Sequence, residues 1–283
     1  MRVNLNQVLQ ALPQGAVGSF NILDMGMAHA IADGAQALQR PAIIGVASRH
    51  FEAIRAPRLA PSLLAIAEAC PQPIALHVDH ASPEQLPLIQ HALDLGFTSI
   101  MIDGSHLDFG ANVEITARVV ELCRRYGAGV EGELGAVAGE EGVADTHSES
   151  AEALPYTGAD EAVRFIAATG VDALAIAVGT AHGIYTREPH IHYATICAIA
   201  ALTPTPLVMH GATGVSDAAI QTSVAAGIRK INFFSGLLQS AMDEVRRSGV
   251  GKDNDYLAFQ HRLAAGWSHI IRAQMTLYAR DAG

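Results

Sequence analysis

Histidine and lysine are unequally represented in this chain of 283 residues, and the difference bears on the chemistry that the chain can perform. There are 13 histidines but only two lysines, Lys230 and Lys252. Imidazole is the commonest metal ligand in proteins and titrates near neutral pH. A catalytic lysine nucleophile, by contrast, has almost nowhere to come from. The composition therefore favours metal-assisted or acid–base chemistry.

Three of the histidines, His80, His182 and His210, stand directly after short apolar segments that read as β-strands. A single histidine in such a position is more often a hydrogen-bonded rim residue than a metal ligand. Three of them at separate strand ends form the set that binds a catalytic zinc ion, with a fourth coordination position left open. Their coincidence predicts a metal centre.

Other polar side chains occupy equivalent strand-end positions. They are Asn21, Ser48, Asp79, Asp103, Glu133 and Asn232. Asp103 and Glu133 read equally well as acceptors for a ligating histidine, as alternative metal ligands, or as rim carboxylates bonded to backbone amides. His77 precedes Asp79 by two residues and shares its strand face, which predicts an orienting role for His77.

The elements that must position these residues are eight short apolar segments rich in β-forming residues. They span residues 15–22, 41–47, 72–78, 97–102, 128–133, 173–178, 206–209 and 228–232. Amphipathic segments separate them, and the spacing of about 30 residues is that of a strand–helix unit. The pattern predicts an α/β protein with a (β/α)8 TIM barrel formed as a single domain by residues 1–283.

The carboxyl ends of the strands form the catalytic face of such a barrel, so the polar residues above are expected to converge there. One interval is longer than the rest because of an irregular segment at 134–157, which predicts a mobile catalytic loop. Residues 235–248 and 255–279 predict closing helices, giving a C-terminal helical extension over about 236–283.

Glycine-rich turns after the seventh and eighth strands predict a phosphate site. Its candidate residues are Gly183, Gly211, Thr213 and Ser235. Barrels commonly hold phosphate at these turns, against the amino terminus of a helix. The alternative is that each glycine only permits its turn.

The overall composition excludes several function classes. A net charge of −10 and a pI near 5.6 argue against a nucleic-acid partner. No apolar run has the length of a membrane span, and the first residues lack the pattern of a secretory signal. Three widely spaced cysteines without a C-x-x-C pair indicate a reducing compartment. We therefore expect a cytoplasmic protein with no membrane partner.

Five segments in fixed order resemble a known family. They are HVDH at 77–80, EGELG at 131–135 with GEE at 139–141, GTAHG at 179–183, HGATG at 210–214 and KIN at 230–232. Together they look like the class II, zinc-dependent ketose-bisphosphate aldolases, nearest to the tagatose- and fructose-bisphosphate branch. The resemblance extends from residue 19 to about residue 240.

The resemblance implies one catalytic Zn²⁺ per subunit on His80, His182 and His210. Asp103 and Glu133 match positions associated with a second or alternative metal site. The activity that the resemblance implies is reversible cleavage of a phosphorylated ketose, such as tagatose or fructose 1,6-bisphosphate, to dihydroxyacetone phosphate and an aldehyde. Relatives are homodimers or homotetramers, and we expect one of these states here.

Catalytic roles also follow from the resemblance. Asp79 would exchange a proton with the substrate hydroxyl or aldehyde oxygen, and Asn232 would hold the enediolate. Glu141, on the mobile loop, would move the C3 proton, with Glu140 as a rival for that role.

Substrate contacts are implied as well. Asn21, Ser48 and Asn232 are expected to line the substrate site. Gly183, Gly211, Thr213 and Ser235 match loops that hold phosphate and a monovalent cation, Na⁺ or K⁺.

Some residues depart from the family pattern. Phe234 stands where small or acidic residues are usual, and Arg49 and His50 add cationic groups near the second strand end. These departures lie away from the zinc ligands and predict altered recognition of the far end of the substrate. An aldolase of the same mechanism acting on a different phosphorylated keto sugar or sugar acid is therefore an alternative.

Two further alternatives come from other classes of protein. Lys230 shares an inward strand face with Asn232, which permits an aldolase that forms a Schiff base. A non-catalytic, metal-binding sugar-phosphate sensor would explain the altered phosphate loop but leaves Asp79 and Glu141 without a purpose.

Overall fold

The structure is a computed structural model that describes residues 1–139, 147–148, 155–185, 187–249 and 255–279. Glu140 and Glu141 lie outside the described residues, as does the greater part of the predicted loop at 134–157. The predictions made for them therefore stay predictions.

Eight parallel strands close into a barrel, which confirms the predicted TIM-barrel fold. They are β1 (Val17–Asn21), β2 (Ala42–Ala47), β3 (Ile74–Ala81), β4 (Ser99–Ile102), β5 (Gly129–Leu134), β7 (Ala173–Ile176), β9 (Leu207–Met209) and β10 (Ile228–Phe233). The order around the barrel is β1-β10-β9-β7-β5-β4-β3-β2. Two short segments, β6 (His147–Ser148) and β8 (Ile184–Tyr185), pair with each other above the barrel strands.

Helices alternate with the barrel strands. They are α1 (Leu5–Gln10), α2 (Met25–Leu38), α3 (Ala56–Ala69), α4 (Leu86–Asp94), α5 (Phe109–Arg124), α6 (Ala159–Thr169), α7 (Tyr193–Leu202), α8 (Asp217–Ala226), α9 (Ser235–Ser248) and α10 (Tyr256–Tyr278). Of the two predicted closing helices, α9 follows the last barrel strand and completes the ring, whereas α10 is additional and packs on α9 and α2. Among the helices described, none is long and apolar enough to cross a membrane.

The barrel interior is layered from apolar to polar. At its amino-terminal end Val17, Ile43 and Val208 belong to a buried cluster that α1 closes from below with Leu5 and Val8. Asn4 caps α1 by accepting a hydrogen bond from the backbone of Gln7, whose side chain accepts one from the backbone of Asn4. The capped helix therefore closes the barrel floor with buried apolar side chains.

Above this floor the inward side chains become polar. Ser19, His77, Ser99, Glu131 and Lys230 are all buried there. Buried polar and charged groups are tolerated when they are hydrogen-bonded or paired with one another. This layer supports the strand ends, where the predicted site residues stand.

We expect Leu5→Ala to lower the free energy of unfolding by about 2–5 kcal/mol, because the side chain is fully buried and its removal opens a cavity in the barrel floor. Urea denaturation followed by circular dichroism measures the change. Leu257→Ala is the control, since Leu257 is 61% exposed. Equal midpoints for the two variants would show that α1 does not support the barrel.

Candidate active site

A bulge near the end of β3 brings two consecutive side chains to the barrel mouth. Strand β3 pairs with β4 at Val78 and again at Ala81, but β4 advances by one residue fewer over the same interval. His80 takes a left-handed backbone conformation with φ 50°, which is uncommon outside glycine and concentrates at functional sites. Side chains alternate between faces in a regular strand, so Asp79 and His80 reach the same site only because of this bulge. The sequence predicted that this strand ends at residue 78. In the structure it continues to Ala81.

The three predicted histidine ligands meet at the barrel mouth. Nε2 of His80 lies 2.9 Å from Nδ1 of His210, and the ring centre of His182 lies 4.8 Å from that of His80 and 5.7 Å from that of His210. One ring nitrogen of each lies within 4.8 Å of the others. Nitrogen ligands at 2.0–2.1 Å from a tetrahedral zinc ion lie about 3.4 Å apart, so the cluster has the dimensions of a zinc site.

The hydrogen bonds of the two facing rings suit metal binding. Nε2 of His210 lies 2.8 Å from Oε1 of Glu131, so a proton on Nε2 is held by the carboxylate and the lone pair of Nδ1 faces the centre. Burial lowers the pKa of His210 and His182, which favours the neutral form that binds metals. The donor set therefore fits a divalent metal ion such as zinc.

Two carboxylates flank the other side of His80. Nδ1 of His80 lies 3.4 Å from Oδ2 of Asp103 and 3.9 Å from Oε2 of Glu133. Burial lowers the pKa of His80, but the charges of Asp79 and the flanking carboxylates outweigh it and raise that pKa to about 10. A metal ion that binds His80 would therefore displace a proton from this ring. Oε2 of Glu133 is buried and has no hydrogen-bond partner among the residues that the structure describes. Burial, reinforced by Asp103, raises the pKa of Glu133 well above its ordinary value.

Asp79 is held by donors on several sides. Its Oδ2 accepts a hydrogen bond of 2.7 Å from Nδ2 of Asn21, and its Oδ1 accepts one of 3.0 Å from Nδ2 of Asn232. Nε2 of His77 lies 3.4 Å from Oδ1, while Nδ1 of the same ring lies 2.7 Å from Oγ of Ser99. Burial raises the pKa of Asp79, but the neighbouring His80 charge and the His77 contact hold it well below its ordinary value. A charged carboxylate is thus fixed beside the histidine cluster.

Beneath the site lies a buried ion pair. Nζ of Lys230 is 2.8 Å from Oε2 of Glu131 and donates a hydrogen bond of 2.6 Å to Oδ1 of Asn232. Burial raises the pKa of Glu131, but Lys230 and the His210 hydrogen bond hold that pKa at about 2. One carboxylate therefore links a predicted metal ligand to the only lysine that the sequence placed near the site.

Backbone contacts hold the turns after β5, β7 and β9 together. The amide of His182 donates to the carbonyl of Ala138 at 2.8 Å, and the amide of Ala181 donates to the hydroxyl of Tyr185 at 2.6 Å. That hydroxyl also lies 2.8 Å from the carbonyl of Ala181 and 2.7 Å from the carbonyl of Gly211. A Cβ on Gly211 would lie 2.2 Å from the Ala181 carbonyl oxygen, so this approach requires glycine. Tyr185 thereby fixes the spacing of the turns that carry His182 and His210.

The predicted phosphate residues gather beside this junction. Oγ1 of Thr213 accepts a hydrogen bond of 3.1 Å from the amide of Gly236 in the first turn of α9, and buried Ser235 begins that helix. Gly183 has φ 100° and Gly211 has φ 67°. The two turns and the helix start are therefore adjacent, and the phosphate site at these residues stays a prediction.

Two cavities open near these groups. One of about 380 Å³ is lined by residues that include Ser48, Arg49, His80, Asp103 and His182. A larger one of about 670 Å³ lies between α9, α10 and the turn after β9, and none of the three histidines lines it. We take the smaller cavity as the candidate substrate site because it opens on the histidine cluster.

Two predicted substrate residues face protein groups. Asn21 donates to Asp79, and Oγ of Ser48 donates a hydrogen bond of 2.6 Å to the carbonyl of His80, which supports the left-handed turn there. Sequence reasoning assigned no role to Glu131 or Tyr185. Glu131 precedes Glu133 by two residues on the same strand face, so the spacing that singled out His77 would have found it. Tyr185 had no comparable signal, because its contacts are to backbone atoms.

We expect Tyr185→Phe to weaken zinc binding by about tenfold or more, because the loss of the hydroxyl leaves the Ala181 amide and the Gly211 carbonyl without this partner. Competition between the metal-free protein and a chromophoric chelator measures the dissociation constant. Tyr193→Phe, which removes a hydroxyl from half-buried Tyr193 on α7, is the control. Equal zinc affinity in the two variants would contradict a positioning role for Tyr185.

Known proteins resemble this chain over most of its length. The family model described as fructose-bisphosphate aldolase class-II matches residues 3–280. The Escherichia coli K12 protein YdjI is 30% identical over 266 residues, covering 94% of this chain and 92% of YdjI.

Two solved structures share the fold. The crystal structure of the YdjI aldolase from Escherichia coli K12 superposes with a TM-score of 0.86 at 27% identity, covering 100% of this chain and 99% of that one. Fructose-bisphosphate aldolase from Campylobacter jejuni superposes with a TM-score of 0.80, covering 98% of this chain and 95% of that one; at 18% identity it supports the fold alone. Class II aldolases are typically metal-dependent and act on sugar phosphates. The chain belongs to the class II fructose-bisphosphate aldolase family, whose members are lyases.

Proposed function

We propose that this chain is a zinc-dependent aldolase that reversibly cleaves a phosphorylated ketose to dihydroxyacetone phosphate and an aldehyde. The observation that carries the proposal is the placement of Asp79, a charged and buried carboxylate, directly beside three converging histidines. His80, His182 and His210 would hold Zn²⁺. A bound zinc ion would supply Lewis-acid stabilisation of the negative charge that develops on the ketone oxygen.

Asp79 is the proposed proton acceptor in the cleavage direction. Its carboxylate takes the proton of the substrate C4 hydroxyl, and C4 becomes the aldehyde carbon as the C3–C4 bond breaks. The electron pair of that bond moves toward the ketone carbonyl. In condensation the same proton returns from Asp79 to the aldehyde oxygen. The donors from Asn21 and Asn232 keep the carboxylate oriented for both directions.

Asn232 is the proposed stabiliser of the charge that forms on the substrate. One of its N–H groups bonds to Asp79, and a primary amide carries two N–H donors. The second donor is assigned to the oxygen that becomes negative when the C3–C4 bond breaks. Asn232 thus joins the proton acceptor to the developing anion.

Other assignments rest on the family resemblance. Glu141, with Glu140 as its rival, is proposed to return a proton to C3 of the ketone product. Gly183, Gly211, Thr213 and Ser235 are proposed to hold the phosphate, with a monovalent cation, Na⁺ or K⁺, at the same turns. Asp103 and Glu133 are proposed as an alternative or second metal position, which is supported by the buried Oε2 of Glu133, an atom without a hydrogen-bond partner in the part of the chain that the structure describes.

We further propose that the chain forms a single domain, assembles as a homodimer or homotetramer, and acts in the cytoplasm. These proposals rest on the sequence and on the family, and size-exclusion chromatography with light scattering tests the oligomeric state.

We expect metal removal to abolish retro-aldol activity. Dialysis against EDTA should lower turnover of ketose mono- and bisphosphates to background, and Zn²⁺ should restore it. His210→Ala should lose activity irreversibly, whereas His29→Ala, a change at an exposed histidine on α2, should retain it. Full activity in metal-free protein would contradict the proposal. Ligand-induced thermal stabilisation without turnover of any substrate would favour the sensor alternative.

Arg49 favours a substrate that carries an anion at its far end. Arg49 lines the 380 Å³ cavity together with His80 and His182, and guanidinium groups bind carboxylates and phosphates through paired N–H donors. A phosphorylated keto sugar acid, or a ketose with phosphate at its far end, would place an anion within reach of this side chain.

We expect Arg49→Met to raise KM by about tenfold or more for a substrate with an anionic far end, because a charge-assisted hydrogen bond is lost. The KM for ketose monophosphates with a neutral far end should stay within about twofold. Steady-state coupled detection of dihydroxyacetone phosphate measures both. Arg58→Met, at an exposed arginine on α3, is the control. An equal change in KM for both substrate types would show that Arg49 does not bind the far end of the substrate.

A further inference from the structure

Lys230 is buried at the centre of the barrel, where an aldolase that uses zinc has no need of a nucleophilic amine. Its side chain is 0% exposed, and its Nζ contacts Oε2 of Glu131 at 2.8 Å and Oδ1 of Asn232 at 2.6 Å. We propose that Lys230 is a positioning residue that fixes the orientation of the Asn232 amide so that its N–H groups face Asp79 and the substrate. This role rests on the proposed function, because it acts through Asn232.

The chemistry at the two ends of the amide supports this role. Lysine offers donors and no acceptor, and an ionised aspartate offers acceptors and no donor. With Oδ1 toward Lys230 and Nδ2 toward Asp79, both ends of Asn232 are satisfied. Rotating the amide by half a turn would place its N–H donors against the Lys230 ammonium and its oxygen against the Asp79 carboxylate. Such unmatched polar groups are costly in a buried site. Lys230 and Asp79 therefore lock the amide from opposite sides.

The orientation matters for the reaction. A primary amide in the observed orientation presents N–H donors to the oxygen that becomes negative. The opposite orientation would present a carbonyl oxygen to the same charge. A neutral or shortened side chain at position 230 would remove one side of the lock, and preorganised donors lose their effect when they must reorient during the reaction.

Glu131 explains how a cation can occupy this place. An isolated ammonium group is expensive to bury, but a close carboxylate compensates for much of the cost. Glu131 lies within 2.8 Å of both Lys230 and His210. The carboxylate of Glu131 therefore balances the charge of Lys230 within the buried layer.

These contacts oppose the Schiff-base alternative. Attack on a ketone requires a neutral amine with a free lone pair. An ammonium that is paired with Glu131 and donates to Asn232 has none. Borohydride should therefore not attach substrate to Lys230, and labelling of that residue during turnover would overturn the proposal.

A double-mutant cycle on kcat tests whether Lys230 acts through Asn232. We expect Lys230→Met to lower kcat by about 10- to 100-fold with KM changed by less than about threefold. Lys230→Met should then cost less than about threefold when introduced into Asn232→Ala. The same loss of kcat in both backgrounds would overturn the proposal. Arg229→Met on the same strand is the control, since the Arg229 side chain donates to the carbonyls of Val224 and Ile228.

Lys230→Met leaves the buried charge of Glu131 without its partner, so this variant can misfold. A second set of variants that removes both charges avoids this problem. Glu131→Gln combined with Lys230→Met removes both charges. In that background Asn232→Ala should lower kcat by a smaller factor than it does in the wild type, since the amide is no longer locked. An equal factor in the two backgrounds would contradict the role.

A readout that does not need turnover separates this proposal from the proposed function. The side-chain ¹⁵N–¹H resonances of Asn232, identified by their absence in Asn232→Ala, should shift in Lys230→Met and not in Arg229→Met. Unshifted resonances would overturn the role of Lys230 even if the wild type cleaves its substrate. If Lys230→Met shifts these resonances but the wild type cleaves no sugar phosphate, the result contradicts the proposed function and leaves the role of Lys230 supported.

Discussion

The polar part of the barrel depends on one buried carboxylate, that of Glu131. It lies 2.8 Å from Nε2 of His210 through one oxygen and 2.8 Å from Nζ of Lys230 through the other. Without the carboxylate the ammonium would be buried and unpaired, which proteins avoid because desolvation is not repaid. Without the ammonium the carboxylate would face the same penalty. The Glu131–Lys230 pair neutralises the charges in the layer directly below the strand ends. Charged Asp79 and the three histidines therefore stand above a layer whose charges are paired.

Backbone geometry converts that layer into a site. The bulge at His80 turns two consecutive side chains into the same mouth, and Ser48 supports it by bonding to the His80 carbonyl. The hydroxyl of Tyr185 joins the turns after β7 and β9 at the Ala181 and Gly211 carbonyls. Such contacts to backbone atoms fix ligand spacing before a metal arrives, and preorganisation of this kind is what metal and anion recognition require.

The sequence predicted the barrel because buried parallel strands leave a strong apolar signal at regular spacing. It also predicted the convergence of His80, His182 and His210, since the strand ends of a barrel must meet. Strand alternation could not predict that Asp79 and His80 both face the site, because only the bulge allows it. Tyr185 was missed because its partners are carbonyl and amide groups, which every residue has. Substrate contact by Asn21 and Ser48 stays a prediction, and the hydrogen bonds that the structure describes join Asn21 to Asp79 and Ser48 to the backbone of His80.

The proposed chemistry requires that His80, His182 and His210 together hold one zinc ion beside Asp79. An anomalous difference map from crystals of zinc-replete, catalytically active enzyme, collected on both sides of the zinc absorption edge, tests it most directly. We expect a single strong peak bounded by Nε2 of His80, Nδ1 of His210 and a ring nitrogen of His182, about 2.0–2.1 Å from each. Active crystals with no zinc signal between these three rings would contradict it.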